Sequence, residues 1–409
     1  MTKFAQVPSI EMAEEKTAAR IASVDIFRGL TMVVMIFVNE LAAVRGLPWW
    51  TYHATADVNV MTYVDMVYPF FLFIVGLSMP LAIQQRLNKN PSIPALWLHV
   101  SVRAASLMVL GLILANAHAS DKMRTSINSY VWALLALTGS ALFLNAYGVS
   151  ERNAALHRWL RGFGLVLVVA MFAIFRSSTA QGDGSWIGLT NPDILGQIGF
   201  TYLVVAILYI PTRRWLWAPF AWFAALIAFN VLTVARWVTV PLPEYFRLCS
   251  NGSLAAMTMA GIATSVIYFG AYLRKSLRVR IQFGLAVGLL TLTAGWFLIP
   301  LGISKLRRTP TWSLFSIGAA ILLFTALHFI CDVKRRTAWA KFAHSASTNT
   351  LTTYLIPDVW AYILGAAGII YFGKHLNMGW PGAVWAAVFT AIVVAIATVL
   401  TRLRVRLRL

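Results

Sequence analysis

The chain has 409 residues, of which 59% are hydrophobic and only 12% charged, with a mean hydropathy of +0.72. Soluble domains carry about 45–50% apolar and about 25% charged residues, so a soluble globular protein is excluded and a polytopic membrane protein is expected. The net charge of +20 would suggest a nucleic-acid partner for a soluble chain. Here the basic residues lie in short loops between apolar runs, where orientation in the bilayer explains them, and no nucleic acid is expected.

The polar N-terminus, residues 1–20, lacks an apolar h-region and a small-residue cleavage site. It reads as a short cytoplasmic tail ahead of one transmembrane domain, residues 21–409. A helical span needs about 20 mostly apolar residues. Spans are expected at 24–44, 62–84, 95–117, 128–148, 160–177, 193–210, 215–234, 252–273, 281–300, 312–331, 348–370 and 378–401. The fold class is an all-α transmembrane helix bundle of about 10–12 spans, with 160–177 and 193–210 the shortest of them. With the N-terminus inside, 22 Lys and Arg residues fall on the inner side and 10 on the outer. That bias predicts both termini in the cytoplasm and the loop of residues 44–63 outside, periplasmic for a protein of an inner (cytoplasmic) membrane. The two cysteines, Cys249 and Cys331, then lie on opposite sides and cannot bridge.

The first span, "SVDIFRGLTMVVMIFVN", opens with Asp25 and Arg28, three residues apart on one helical face. They are either an interfacial ion pair or a contact for an anionic ligand. Asn39 lies about 21 Å further along the helix, near the opposite membrane face, as interhelical glue or as an amide donor. The outer loop that follows, "PWWTYHATADVN", sets His53 beside Trp49, Trp50 and Tyr52. These aromatics suit a membrane-interface belt or a stacking platform for a sugar ring. Asp65 opens the second span on the same side, four residues before Pro69. A carboxylate beside an imidazole fixes its tautomer, so one outer patch can collect the acid, the base and the amide of acyl transfer.

Further along, "GDGSWIG" reads as turn glycines, Gly182, Gly184 and Gly188. "GISKLRRTPTW" places Lys305, Arg307 and Arg308 together in an outer loop, either plain surface charge or a site for phosphates or an acidic substrate. In "STNTLTTYLIPDVW", Asn349, Tyr354 and Asp358 interrupt a late span and need partners inside the bundle. Walker A, HExxH and GxSxG patterns are absent from the sequence, and no metal is expected.

"RIASVDIFRGLTMVVMIFVN", the His53 loop and "DMVYPFFLFIVGLSM" together resemble the heparan-alpha-glucosaminide N-acetyltransferase family. The resemblance is good over about residues 20–84 and collinear but weaker at "DILGQIGFTYLVVAIL", "GISKLRRTPTWSL" and "STNTLTTYLIPD". It implies an integral-membrane acyltransferase with acetyl-CoA as cosubstrate and an amino sugar or glycan acceptor across the bilayer. The family's loop histidine corresponds to His53 and its V-N amide to Asn39, with His53 as general base or acetyl carrier. Asp65 would orient His53. Asp25 and Arg28 would brace the inner mouth or meet the CoA phosphates, and a homodimer is compatible with the family. The bundle alone fits a second class equally well, an amino-sugar transporter without acyl transfer, and a third, a scaffold of envelope assembly.

Overall fold

The computed structural model describes residues 21–117, 125, 127–147, 153–177, 186–188, 193–241, 250–270, 276–369, 376–403 and 405–407. The N-terminal tail, His118, His375, Cys249, Gly182 and Gly184 lie outside the described residues. Among these, thirteen α-helices and no strand occur: α1 (Ala22–Leu41), α2 (Val64–Lys89), α3 (Ile93–Asn116), α4 (Ser129–Leu144), α5 (Ala154–Ile174), α6 (Asp193–Thr212), α7 (Ala218–Val234), α8 (Ser253–Phe269), α9 (Leu277–Phe297), α10 (Pro310–Leu327), α11 (His344–Thr348), α12 (Thr350–Ala366) and α13 (Gly379–Arg402). The all-helical expectation holds, as lipid requires of a chain that must pair its own backbone groups.

Each of the twelve expected spans has a helix, but their lengths differ from the hydropathy reading. Eight helices are long and apolar enough to cross a membrane. The two spans expected to be shortest are full-length, with 21 residues in α5 and 20 in α6. Those expected at 128–148, 215–234 and 252–273 are instead helices of 16, 17 and 17 residues. For the first two, the apolar residues Ala146 and Tyr147, and Trp215 and Leu216, lengthened the hydrophobic run without extending the helix. The expected span 348–370 is α12, 17 residues long with Pro357 inside it.

Local chemistry sets several of the boundaries. Ser92 caps α3 by accepting from Ala95 N at 3.3 Å, with Pro94 in the first turn, and Asn128 caps α4 through Tyr130 N at 2.8 Å. Thr309 caps α10, followed at once by Pro310. Proline fits there because the first helical N–H groups have no intrahelical acceptor.

The centre of the bundle is the packing of α2 on α8, a helix buried along nearly its whole length. The two meet through glycine. A Cβ on Gly76 would strike the carbonyl of Thr258, and one on Gly261 the carbonyl of Phe73. In lipid there is little hydrophobic force between helices, so small residues that let backbones touch supply the association. Gly139 of α4 and Gly164 of α5 form a second reciprocal contact of this kind. Phe27, Phe73, Trp132, Tyr268, Trp312 and Phe324 fill the largest core cluster. By contrast α5 and α9 bury few residues and present Leu165, Val166, Leu289 and Leu290 outward.

Candidate active site

His53 is held by a laced loop. After α1, the chain makes a short 3-10 turn at Trp49–Thr51. The Thr51 hydroxyl donates to Pro48 O at 2.7 Å, and Leu47 N donates to the Tyr52 hydroxyl at 2.9 Å. Thr62 then donates its hydroxyl to Tyr52 O at 2.8 Å, which ties both ends of the loop together. Trp49 and Trp50 are exposed, and Trp50 lies near Tyr63 with ring centroids 6.4 Å apart.

Asp65 is fully buried at the start of α2. Thr62 and Asp65 make one half of a capping box, in which an acid reaches back to an amide three residues before it. Here Asp65 Oδ2 accepts from Thr62 N at 3.1 Å and from Ala54 N at 3.3 Å. The other oxygen, Oδ1, is 2.8 Å from His53 Nδ1. A carboxylate saturated with N–H donors stays ionised and can only accept, so Nδ1 carries the shared proton. Nε2 is thereby the ring's basic position, on a side chain 39% exposed. From the far side, Trp312 Nε1 donates to Asp65 O at 3.1 Å and fixes the first turn of α2 against α10.

The loop before α10 completes the site. Lys305 Nζ is 3.2 Å from both Nδ1 and Nε2 of His53. An in-plane approach equidistant from the two nitrogens would collide with Cε1, so the ammonium lies over the ring face. Burial holds the Lys305 pKa down at about 8, with the Asp65 carboxylate opposing that shift and Arg308 adding to it. Arg307 bonds Asn59 Oδ1 and Arg308 bonds Gln197 Oε1 at 2.8 Å. Gly302, at φ +83°, lets the chain turn here: a Cβ would meet both Asn59 and Arg307. The basic cluster seen in the sequence thus has three separate partners rather than one shared anion.

The remaining candidates are spread along the bundle. Asn39 is exposed on the last turn of α1, at the His53 end, and shows no hydrogen bond to His53 or Asp65. At the opposite end, Arg28 bonds Asp25 at 3.2 Å and Ser78 of α2 at 2.6 Å, a brace between two helices. Asp25 there lines a cavity of about 240 Å³ with Ala22, Ile26, Lys341, His344 and Ser347. Tyr354 lies inside the bundle and hydrogen-bonds Asp193, with Asp358 close by. Asn349 is 2% exposed, donates to Val405 O and Thr401 Oγ1, and accepts from Thr352 at 2.6 Å. Among the described residues no group of three or more His, Cys, Asp or Glu side chains is placed to hold a metal ion.

Fold and site together define a multi-pass helical membrane protein with an Asp–His pair under a lysine at one end of its bundle. Residues 20–235, more than half of the chain, match the family described as Domain of unknown function (DUF5009), and the chain belongs to that family. It is also similar to heparan-alpha-glucosaminide N-acetyltransferase of Homo sapiens, at 35% identity over 97 residues, or 24% of this chain and 14% of that protein. The enzyme of the same name from Mus musculus is 35% identical over 100 residues, again 24% of this chain and 14% of the relative. The chain therefore spans about one seventh of the length of these relatives.

Proposed function

We propose that the protein is an integral-membrane acyltransferase that moves acetyl from acetyl-CoA to an amino sugar or glycan on the other side of the bilayer. The observation that carries this reading is the Asp65–His53–Lys305 constellation, with Nε2 of His53 exposed under a cation. The similarity to N-acetyltransferases supports it. The charge bias favours a cytoplasmic N-terminus and a periplasmic His53 loop in the inner membrane, with both termini inside.

The same atoms serve either route. As general base, Nε2 takes a proton from the acceptor amine, whose nitrogen attacks the thioester carbonyl. The C–S bond breaks and the imidazolium returns the proton to the departing thiolate. As acetyl carrier, Nε2 itself attacks the thioester carbonyl and the C–S bond breaks to release the CoA thiolate; the amine then attacks the acetyl-imidazole, the N–acetyl bond to Nε2 breaks, and the amine's proton passes to the freed Nε2. In both, charge develops on the carbonyl oxygen, and the Lys305 ammonium is the cation nearest to where it forms. Asn39, on the same end, is offered as a second donor. Asp65 holds the ring in the productive tautomer, and the Trp49–Trp50 pair is a stacking surface for the acceptor.

Acetyl-CoA would enter at the opposite end, by the cavity beside Asp25, where Lys341 and His344 supply cationic or polar contacts. At about 240 Å³ that space is below the roughly 300 Å³ at which ligand pockets usually begin, so it seats one part of the donor only. Detergent-purified protein with radiolabelled acetyl-CoA and glucosamine tests the reading. Label in the sugar that vanishes in His53→Ala is the expected result, and label retained on His53 selects the carrier route. Normal transfer by His53→Ala would sink the assignment. The transporter reading predicts glucosamine uptake into proteoliposomes without acetyl-CoA.

A further inference from the structure

The end of the bundle opposite His53 holds a second, inverted His–Asp arrangement that the acyl-transfer reading does not use. It begins with a defect. Helix α1 starts after Ile21, which has no side chain able to cap it. The first N–H groups of a helix lack intrahelical acceptors, and where water is excluded they need one from elsewhere. Here the acceptor comes from 309 residues away: Ser23 N donates to Asp332 Oδ1 at 3.2 Å. The other oxygen of Asp332 is 2.8 Å from His328 Nδ1, four residues earlier on the same segment.

That segment is built for the task. After α10 the chain widens into a π-helical turn, His328–Val333, closed by Lys334 N donating to Phe329 O at 2.9 Å. Such turns are uncommon and tend to mark places where function overrides regular geometry. His328 is 8% exposed on its side chain. Tyr268 and Phe269 meet it edge-on and Phe324 lies nearly parallel, with centroids 5.0, 6.2 and 6.1 Å away. The Tyr268 hydroxyl is committed to Thr325 at 2.7 Å, and among the described residues no partner reaches His328 Nε2. An enclosed imidazole with one nitrogen bound and the other without a partner has a single polar task, to hold Asp332. A carboxylate at this depth would be costly alone, and His328 is what lets it remain an acceptor.

The residues on either side of the capped amide form part of the wall of the cavity. Ala22, Asp25 and Ile26 line it on the α1 side, facing Lys341, His344 and Ser347. The Ser347 hydroxyl is buried there with no hydrogen-bond partner among the described residues, and Gly29 is pressed against the Ala343 carbonyl. The position of the first turn of α1 therefore sets the width of that space. We propose that His328 and Asp332 are positioning residues: they cap α1 from outside and so shape the site that receives the thioester donor. The capping half stands alone, and the donor half rests on the acyltransferase reading.

Hydrogen–deuterium exchange on the full-length protein tests the cap. Asp332→Ala is expected to speed exchange of the Ser23 amide about tenfold, with peptides of the His53 loop unchanged. Asp332→Asn, which keeps an acceptor oxygen, is expected to restore protection. Unchanged exchange in Asp332→Ala overturns the cap. On the same preparations KM for acetyl-CoA is expected to rise about tenfold in Asp332→Ala and His328→Ala, with kcat held and Asp332→Asn partly rescued. A fall in kcat at constant KM overturns the donor assignment. Should the unmodified protein transfer no acetyl group at all, the acyltransferase reading and the donor half fall together, while the exchange measurement still decides the cap.

Discussion

Lys305 and His53, 252 residues apart in the chain, lie in contact, with Nζ 3.2 Å from each ring nitrogen. The imidazole is thus held between the Asp65 carboxylate, which bonds its Nδ1, and the Lys305 ammonium over its face. Lys305→Gln removes the cation that faces the developing oxyanion. Loss of such a donor typically lowers kcat by about 10²–10³. The expected result is a fall of that order with little change in KM for the acceptor.

The same lysine gives the site a pH dependence. Its pKa of about 8, against 10.5 when unburied, means that the charge is lost as pH rises through about 8. Transfer rate is expected to decline on that limb, and Lys305→Gln is expected to lose the limb. Stability moves the other way. Between about pH 8 and 10.5 the unfolded chain binds the proton that the folded chain has released, so folding is favoured increasingly with pH over that window. Thermal melts in detergent from pH 7.5 to 10.5 check the sign, with Lys305→Gln as the flat control.

Asp65→Asn keeps the size of the side chain and one acceptor oxygen but removes the anion that fixes the His53 tautomer. Activity is expected to drop by at least about 10²-fold while the fold persists. Asp65→Ala leaves the amides of Thr62 and Ala54 without their acceptor, and each buried unsatisfied donor costs about 1–3 kcal/mol. It is expected to lower the melting temperature as well, and the difference between the two variants separates chemistry from support.

Gly261→Ala puts a methyl group against the carbonyl of Phe73, where backbone must shift to admit it. Overpacking of this kind costs about 1–3 kcal/mol and more where the obstacle is main chain. Reduced yield of folded protein and a lower melting temperature are expected. Gly162→Ala, which meets nothing within 4 Å, serves as the neutral comparison.

Asn349→Ala is expected to lower stability and leave acetyl transfer per folded molecule unchanged. Its amide joins α12 to the C-terminal end of α13 and the residues after it, through Thr401 and Val405. A rate that collapsed at unchanged melting temperature would return Asn349 to the functional residues.

Much of this was readable in the sequence because membrane burial leaves few polar residues to choose from. An acid at position 65 and a histidine at 53 on one side of two apolar runs were enough to place the pair. The lace that holds them was not readable: Thr62 to Tyr52, Ala54 to Asp65 and Trp312 to Asp65 O involve residue types that occur throughout the chain. Lys305 was visible as an excess of positive charge in an outer loop, but its partner lies 252 positions earlier, and spacing carries no signal over that distance. The His328–Asp332 pair carries no sequence signal either, because the first turn of α1 that Asp332 caps belongs to the other end of the chain. The helix ends at Leu144 and Phe269 and the helix start at Ala218 differ from the sequence reading for a simpler reason: hydropathy measures transfer from water and is blind to where a backbone turns.

Helix α1 has 20 residues and is about 30 Å long as a rigid rod. It is held at its base by Asp332 and, within its first two turns, by the Arg28–Ser78 brace, and its tip carries Asn39 and feeds the loop of His53. A rod of that length is a lever. Tilting it by about 5° at the base shifts the tip by about 3 Å, whereas about 1 Å of misplacement is enough to cost 10²-fold in rate. The inclination of this one helix therefore ties the geometry at the cavity beside Asp25 to the geometry at the His53 loop.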